Sequence, residues 1–163
     1  MEEKKALLPA QSFIILNIAT FNLYSIWWMY KSWTFFKYRE TYDIQPAMRA
    51  IFSIFFIFGL FERIRNFSGS FGYEAGFKSV VLFVAILLVQ LMVYLPEEYW
   101  LVSYAAGFLY ALPVKALNEG IRLSGDYETE EQIGFTKGET IAIVVGSLMW
   151  VLVLIGLFFG DEV

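Results

Sequence analysis

Five apolar segments alternate with polar stretches along this chain, and three of them are long enough to cross a bilayer as helices. Residues 79–95 carry no charge, residues 99–117 contain Pro113, and residues 139–160 are uncharged after Glu139. A membrane-crossing helix needs about 20 predominantly apolar residues. The pattern therefore predicts an all-α integral membrane protein with three transmembrane helices over these ranges.

Local signals fix how these three segments begin and connect. Thr136 and Glu139 have the spacing of a capping box, in which each side chain bonds the backbone amide of the other. Only Pro96, Glu97 and Glu98 separate the first two segments. So short a connection predicts a tight antiparallel helical hairpin.

The two N-terminal segments are shorter or interrupted. Residues 11–30 are broken by Thr20-Phe21-Asn22, and residues 50–61 provide only about 12 apolar positions, or about 18 Å of helix. Stretches of this length are typical of re-entrant or interfacial pieces. We expect both segments to be short, broken or re-entrant helices, and five spanning helices remain the alternative.

Charge placement favours the three-span arrangement, because Lys and Arg near span ends concentrate on the cytoplasmic side. If only three segments cross, all 12 basic residues lie on one face, whereas five crossings remove the asymmetry. A first segment that crosses would displace only Lys4 and Lys5. The preferred arrangement predicts a single membrane domain over residues 1–163, a cytoplasmic N-terminus, an external C-terminus and a cytoplasmic acidic loop over residues 118–138.

Composition supports a membrane location and excludes several functional classes. The chain is 58% hydrophobic and 17% charged, with a mean hydropathy of +0.58, and a soluble domain of this size could not bury so much apolar surface. The net charge of −4 argues against nucleic-acid binding. No Cys or His is present, which excludes Ser-His-Asp hydrolysis and His- or Cys-ligated metal centres within the chain. We expect no enzymatic activity and no cofactor.

The aromatic N-terminal third resembles a known protein family. Thr20-Phe21-Asn22-Leu23-Tyr24, followed by Trp27-Trp28-Met29-Tyr30-Lys31-Ser32-Trp33, resembles the opening signature of small bacterial inner-membrane proteins of unknown function. That signature is a Thr-x-Gly-x-Tyr break before a Trp-x-Tyr-Lys run. Asn22 stands where glycine is usual, and asparagine also tolerates the left-handed conformation. The resemblance implies a membrane location and no established activity.

The helix break is one candidate functional site, formed by Asn17, Thr20, Asn22 and Ser25. Polar groups at membrane depth are costly and are often functional. Carbonyls freed by the break can line an ion or substrate site, as in transporters with discontinuous helices. The favoured interpretation is structural: the side chains cap a broken helix and bond neighbouring helices.

Two further sets of residues suit contacts with helices and lipid. Small residues at helical spacing let helix backbones approach closely in lipid, and the candidates are Ser103, Gly107, Ala111, Ala142, Gly146, Gly156 and Gly160. Aromatic and basic residues collect at membrane interfaces, and the candidates are Trp27, Trp28, Tyr30, Lys31, Trp33, Arg49, Arg63 and Arg65. The aromatic members with Lys31 are alternatively a cage for a ligand or a lipid head group.

These features lead to two hypotheses for function. The first is a non-enzymatic accessory or scaffold subunit of a larger inner-membrane assembly, whose partners are the lipid bilayer and other membrane subunits or a second copy. The alternative is a small channel or carrier built on the re-entrant N-terminal segments. A membrane enzyme ranks last, because it would have to work without His or Cys.

Overall fold

The computed structural model describes residues 4–40 and 43–159, and there the chain is mostly helical, as predicted. The α-helices are α1 (Ala10–Ala19), α2 (Leu23–Glu40), α3 (Pro46–Ile51), α4 (Ser53–Ser70), α5 (Ser79–Leu91), α6 (Ala106–Ser124) and α7 (Lys137–Phe159). Two 3₁₀ helices, Met92–Tyr94 and Glu97–Ala105, connect α5 to α6.

Within the described ranges, two helices are long and apolar enough to cross a membrane. They are Tyr99–Ser124, in which the second 3₁₀ helix continues into α6, and Lys137–Phe159. The expectation of three full-length spans is not met, because the helical stretch Ser79–Tyr94 falls below the required length. The α-helical part ends at Leu91, shortly before Pro96 and two adjacent glutamates.

A two-stranded parallel sheet lies where the sequence predicted only an acidic loop. Strand β1 (Lys4–Leu7) pairs with strand β2 (Glu128–Glu131). α6 also extends into the predicted loop and ends at Ser124, followed by Gly125, whose φ of 68° is readily adopted by glycine. The strands went unpredicted because their residues are mostly charged and the partners are far apart in sequence.

α1 and α2 form a helical hairpin that packs beside α7. α2 runs back along α1, so that the hairpin ends near the residues at which α1 begins. At its tip, the indole N–H of Trp150 in α7 donates to the carbonyl oxygen of Ile18 at 2.9 Å. Past the tip, α2 runs back far enough to place the ring of Phe35 4.0 Å from the ammonium of Lys5, which precedes α1. The break at residues 20–22 is therefore a reversal of chain direction.

The core lies where α1, α2, α4 and α6 meet. Tyr110 of α6 is 6.3 Å from Phe13, 6.5 Å from Trp28 and 6.2 Å from Phe61, measured between ring centroids. Such tilted and edge-to-face pairs each contribute about 0.5–1.5 kcal/mol beyond simple burial. This aromatic cluster holds the α1–α2 hairpin against α4 and α6.

The second N-terminal segment differs from its predicted bounds of 50–61. α3 ends at Ile51, and α4 then continues without a break through Arg63 and Arg65 to Ser70. Charged side chains do not end α4, because arginine and glutamate are good helix formers, and Arg63 pairs with Glu40 at the end of α2. The helix is thus longer than its apolar run.

Candidate functional site

The chain reverses direction at Phe21 and Asn22, which adopt φ values of 53° and 65°. Left-handed backbone is disfavoured for most residues, but asparagine tolerates it. The amide N–H of Asn22 donates to the carbonyl oxygen of Asn17 at 2.7 Å and closes the turn. Asn22 therefore occupies a position that uses its conformational tolerance.

The four polar side chains of the predicted break bond one another and the adjoining backbone. Asn17 is fully buried; its amide group donates to Asn22 Oδ1 at 2.7 Å, and its Oδ1 accepts from the Ser25 amide at 2.9 Å. The Thr20 hydroxyl accepts from the backbone amide of Tyr24 at 3.0 Å, and the Ser25 hydroxyl donates to the Asn22 carbonyl oxygen at 2.6 Å. These bonds cap the start of α2 and satisfy groups that would otherwise be costly to bury.

The break is also attached to the helices on either side of it. The side-chain amide of Asn22 donates to the Ser103 carbonyl oxygen at 3.2 Å. Phe21 stacks on Trp150 of α7 with ring centroids 4.7 Å apart. The arrangement is that of a helix junction, with the polar groups directed into protein contacts.

The small residues predicted to allow helix packing divide into two groups. Gly107 lies against Asn17, and Gly146 lies so close to the Ala19 carbonyl that a Cβ would overlap it. Ser103 is buried, and Ala111 and Ala142 are partly buried. Gly156 is exposed, and none of the described residues has an atom within 4 Å of its added Cβ; Gly160 lies outside the described residues. Of the predicted glycines, Gly107 and Gly146 thus pack within the chain, against α1.

Glu139 forms a junction that the sequence pattern indicated only in part. The capping box is confirmed: Thr136 N–H donates to Glu139 Oε2 at 2.9 Å, and Glu139 N–H donates to Thr136 Oγ1 at 3.3 Å. The carboxylate also accepts from the Tyr24 hydroxyl at 2.8 Å and from Gln132 Nε2 at 2.7 Å. This buried group therefore joins α2, the loop after β2 and the start of α7.

The aromatic residues of α2 separate onto two faces. Trp28 and Trp33, which we expected at a lipid interface, lie in the core at 7% and 1% exposure. Trp27 remains half exposed and stacks on Tyr30, with ring centroids 5.4 Å apart. The reason is helical periodicity, since residues one position apart point in directions about 100° apart.

Three of the predicted interfacial residues meet around Trp33. The guanidinium carbon of Arg49 lies 4.4 Å from the ring centroid and that of Arg63 lies 5.7 Å from it. Burial lowers the pKa of Arg49, and the nearby charge of Arg63 adds to this effect. Arg65 is exposed and lies apart, beside a cavity of about 740 Å³.

A second ion pair connects the end of α2 to the approach to β2. Arg39 pairs with Asp126, and its guanidinium carbon lies 4.8 Å from the Phe67 ring centroid. The hydrogen bond from Arg39 holds the pKa of the Asp126 carboxyl below its usual value. The pair is exposed, so its contribution is screened by salt.

A cavity of about 680 Å³, which we term the lysine–aromatic cavity, lies between α2 and the β1–β2 sheet. Its walls include Lys5, Trp27, Tyr30, Lys31, Phe35 and Tyr127. The ammonium of Lys31 lies 5.5 Å from the Trp27 ring centroid, and that of Lys5 lies 4.6 Å from the Tyr127 centroid. Three predicted interfacial residues thus meet three that the sequence analysis did not propose as site residues. The sequence held no signal for that meeting, which depends on the unpredicted sheet.

Comparison with protein-family models, curated proteins and solved structures found no match to this chain.

Proposed function

We propose that the protein is a multi-pass protein of the bacterial inner membrane that acts, without catalysis, as an accessory or scaffold subunit of a larger membrane assembly. The observation that carries the proposal is α7. It has 23 residues, and only 6% of its most apolar 18-residue stretch is buried. A contiguous apolar surface of this kind marks contact with a membrane or another protein.

The second half of α7 carries the apolar surface that a partner has to cover. Beyond Trp150, most side chains are exposed, and Leu152, Phe158 and Phe159 are among the most exposed apolar residues. Gly156 faces open space here, whereas Gly146 earlier in the same helix is covered by α1. Lipid or a second membrane helix is therefore required to cover this half.

The α1–α2 hairpin supports the proposed orientation. Because α1 enters beside α7 and α2 returns towards Lys5, the hairpin can enter the bilayer without crossing it. Basic residues such as Arg39 and Arg63 then stay on the N-terminal side, which the charge rule assigns to the cytoplasm. In the proposed orientation, the short helical stretch Ser79–Tyr94 has to lead outward and Tyr99–Ser124 back, so that α7 then ends on the external side.

Covalent capture tests the scaffold role. A photoreactive amino acid at Leu152, which is 69% exposed, should cross-link the protein to one stoichiometric membrane polypeptide in intact cells. The same amino acid at Ile143, which packs against the core, is the matched control and should not. Purification in mild detergent should give complexes larger than the monomer. Monomers alone, with only lipid adducts at Leu152, would refute the scaffold role.

The channel or carrier alternative has the broken helix as its support. The observation against it is that the polar groups of Asn17, Asn22 and Ser25 already form hydrogen bonds within the chain. If it is correct, Asn17→Leu and Asn22→Leu must change solute flux in proteoliposomes. Unchanged flux in folded variants eliminates it.

A further inference from the structure

We propose that the lysine–aromatic cavity binds the phosphate head group of an anionic lipid, with Lys31 as the principal electrostatic contact. The inference rests on the membrane placement proposed above and gives that placement a specific lipid site. It uses residues that the scaffold role leaves unassigned.

The charge within the cavity favours an anion. Lys31 is exposed, and no ion pair joins it to the parts of the chain that the structure describes. Among the described residues, no carboxylate contributes to the walls of this cavity. The neighbouring carboxylate of Glu139 faces a separate small cavity and already accepts bonds from Tyr24, Gln132 and Thr136. The larger cavity beside Arg65 contains Glu74 and is less suited to an anion.

The aromatic walls favour an amphiphile over a free ion. Trp27 and Tyr30 form a stacked pair, and the ammonium of Lys5 lies over the rings of Phe35 and Tyr127. A volume of about 680 Å³ is within the range of ligand sites of about 300–1,000 Å³. Tryptophan and tyrosine rings suit the boundary between head groups and acyl chains.

The position of the cavity matches the level at which lipid head groups lie. Lys31 and Glu139 both border the small cavity next to the lysine–aromatic cavity, and Glu139 is in the first turn of α7. The apolar run of α7 begins directly after Glu139. In the proposed placement, the lysine–aromatic cavity therefore opens at the cytoplasmic boundary of the hydrocarbon, where basic residues attract anionic lipids.

Tryptophan quenching by a brominated lipid measures this binding. The full-length protein is reconstituted in phosphatidylcholine vesicles that contain brominated phosphatidylglycerol. The part of the tryptophan quenching that is lost in the Trp27→Phe variant is the signal from the cavity. Unlabelled phosphatidylglycerol should restore the emission at lower concentration than phosphatidylcholine. Lys31→Gln should weaken this competition about fivefold, the expected contribution of one lysine at a charged surface. Lys31→Arg should retain most of it.

Lys37→Gln is the matched control, since Lys37 is exposed on the same helix and does not line the cavity. Equal losses in Lys31→Gln and Lys37→Gln would overturn the proposal in favour of general surface charge. Competition by glycerol 3-phosphate as strong as that by the lipid would overturn it in favour of a soluble phosphate ester. Failure of the protein to float with any vesicles would defeat the membrane placement itself, whereas flotation without lipid preference defeats only the site.

Discussion

Gly146 is the position where the packing between α1 and α7 can be tested most directly. A Cβ added at this residue would overlap the carbonyl oxygen of Ala19 and lie 2.7 Å from its carbonyl carbon. Both are backbone atoms at the end of α1, so no side-chain rotation relieves the overlap. Gly146→Ala must therefore separate the two helices.

The size of the effect follows from the required displacement. Ordinary contacts to a Cβ begin at 3.4 Å, so clearing the carbonyl carbon requires α7 to move by about 0.7 Å, and clearing the oxygen, which lies closer, requires a larger movement. Overpacking of this kind costs about 1–3 kcal/mol. We expect a loss in the upper part of this energy range, because the atoms that the Cβ would overlap belong to the backbone of Ala19 and cannot rotate away. The shift also pulls on the bond from Trp150 to Ile18 and on the Phe21–Trp150 stack, one turn further along α7.

Thermal unfolding in detergent, followed by tryptophan emission, measures the result. Gly156→Ala is the matched control in the same helix, because within residues 4–40 and 43–159 no atom lies within 4 Å of its added Cβ. That change should be neutral or stabilising by up to about 1 kcal/mol through helix propensity. Gly146→Ala should lower the stability by about 3 kcal/mol and alter the emission of Trp150. Equal behaviour of the two variants would refute the assigned contact of α1 with α7.

Four further substitutions test the polar contacts. Asn17→Leu should lower the free energy of unfolding by about 3 kcal/mol, because it leaves buried partners unpaired; an unchanged melting temperature would contradict the capping role. Tyr24→Phe should lower the free energy of unfolding by about 1 kcal/mol. Glu139→Leu should lower it by about 3 kcal/mol, because this change removes the acceptor that several donors share. Equal losses of stability in thermal melts would show that Glu139 does not join α2, the loop after β2 and the start of α7. Arg39 lowers the pKa of Asp126, so their pair contributes stability above the ordinary pKa of 3.8 that is lost as pH falls below it. Asp126→Asn should remove this part of the acid dependence of the melting temperature, and an identical acid profile would contradict it.

Several features of the fold were predictable because their causes are local. The reversal after Ala19 follows from residues whose polar side chains compete with helical bonding and from an asparagine that tolerates positive φ. The cap at Thr136 and Glu139 depends only on their spacing. The apolar run of α7 likewise predicts a helix too apolar to be covered by this chain alone.

Other features required long-range contacts that no local pattern contains. β1 forms only because β2 lies beside it, and the pairing of Arg63 in α4 with Glu40 in α2 likewise joins distant parts of the chain. The sequence predicted an interfacial position for Trp33, but the helix bundle buries its side chain.

The helix-packing and aromatic residues show the same division. The sequence by itself determined a helical chain with an excess of apolar surface, a break near residue 20 and glycines able to admit a neighbour. Only the tertiary structure decided that Gly146 is filled by α1 while Gly156 is left open. It alone placed Lys5 and Lys31 on one cavity. The physical reason is that periodicity and capping act over a few residues, whereas burial and charge pairing depend on which distant elements meet.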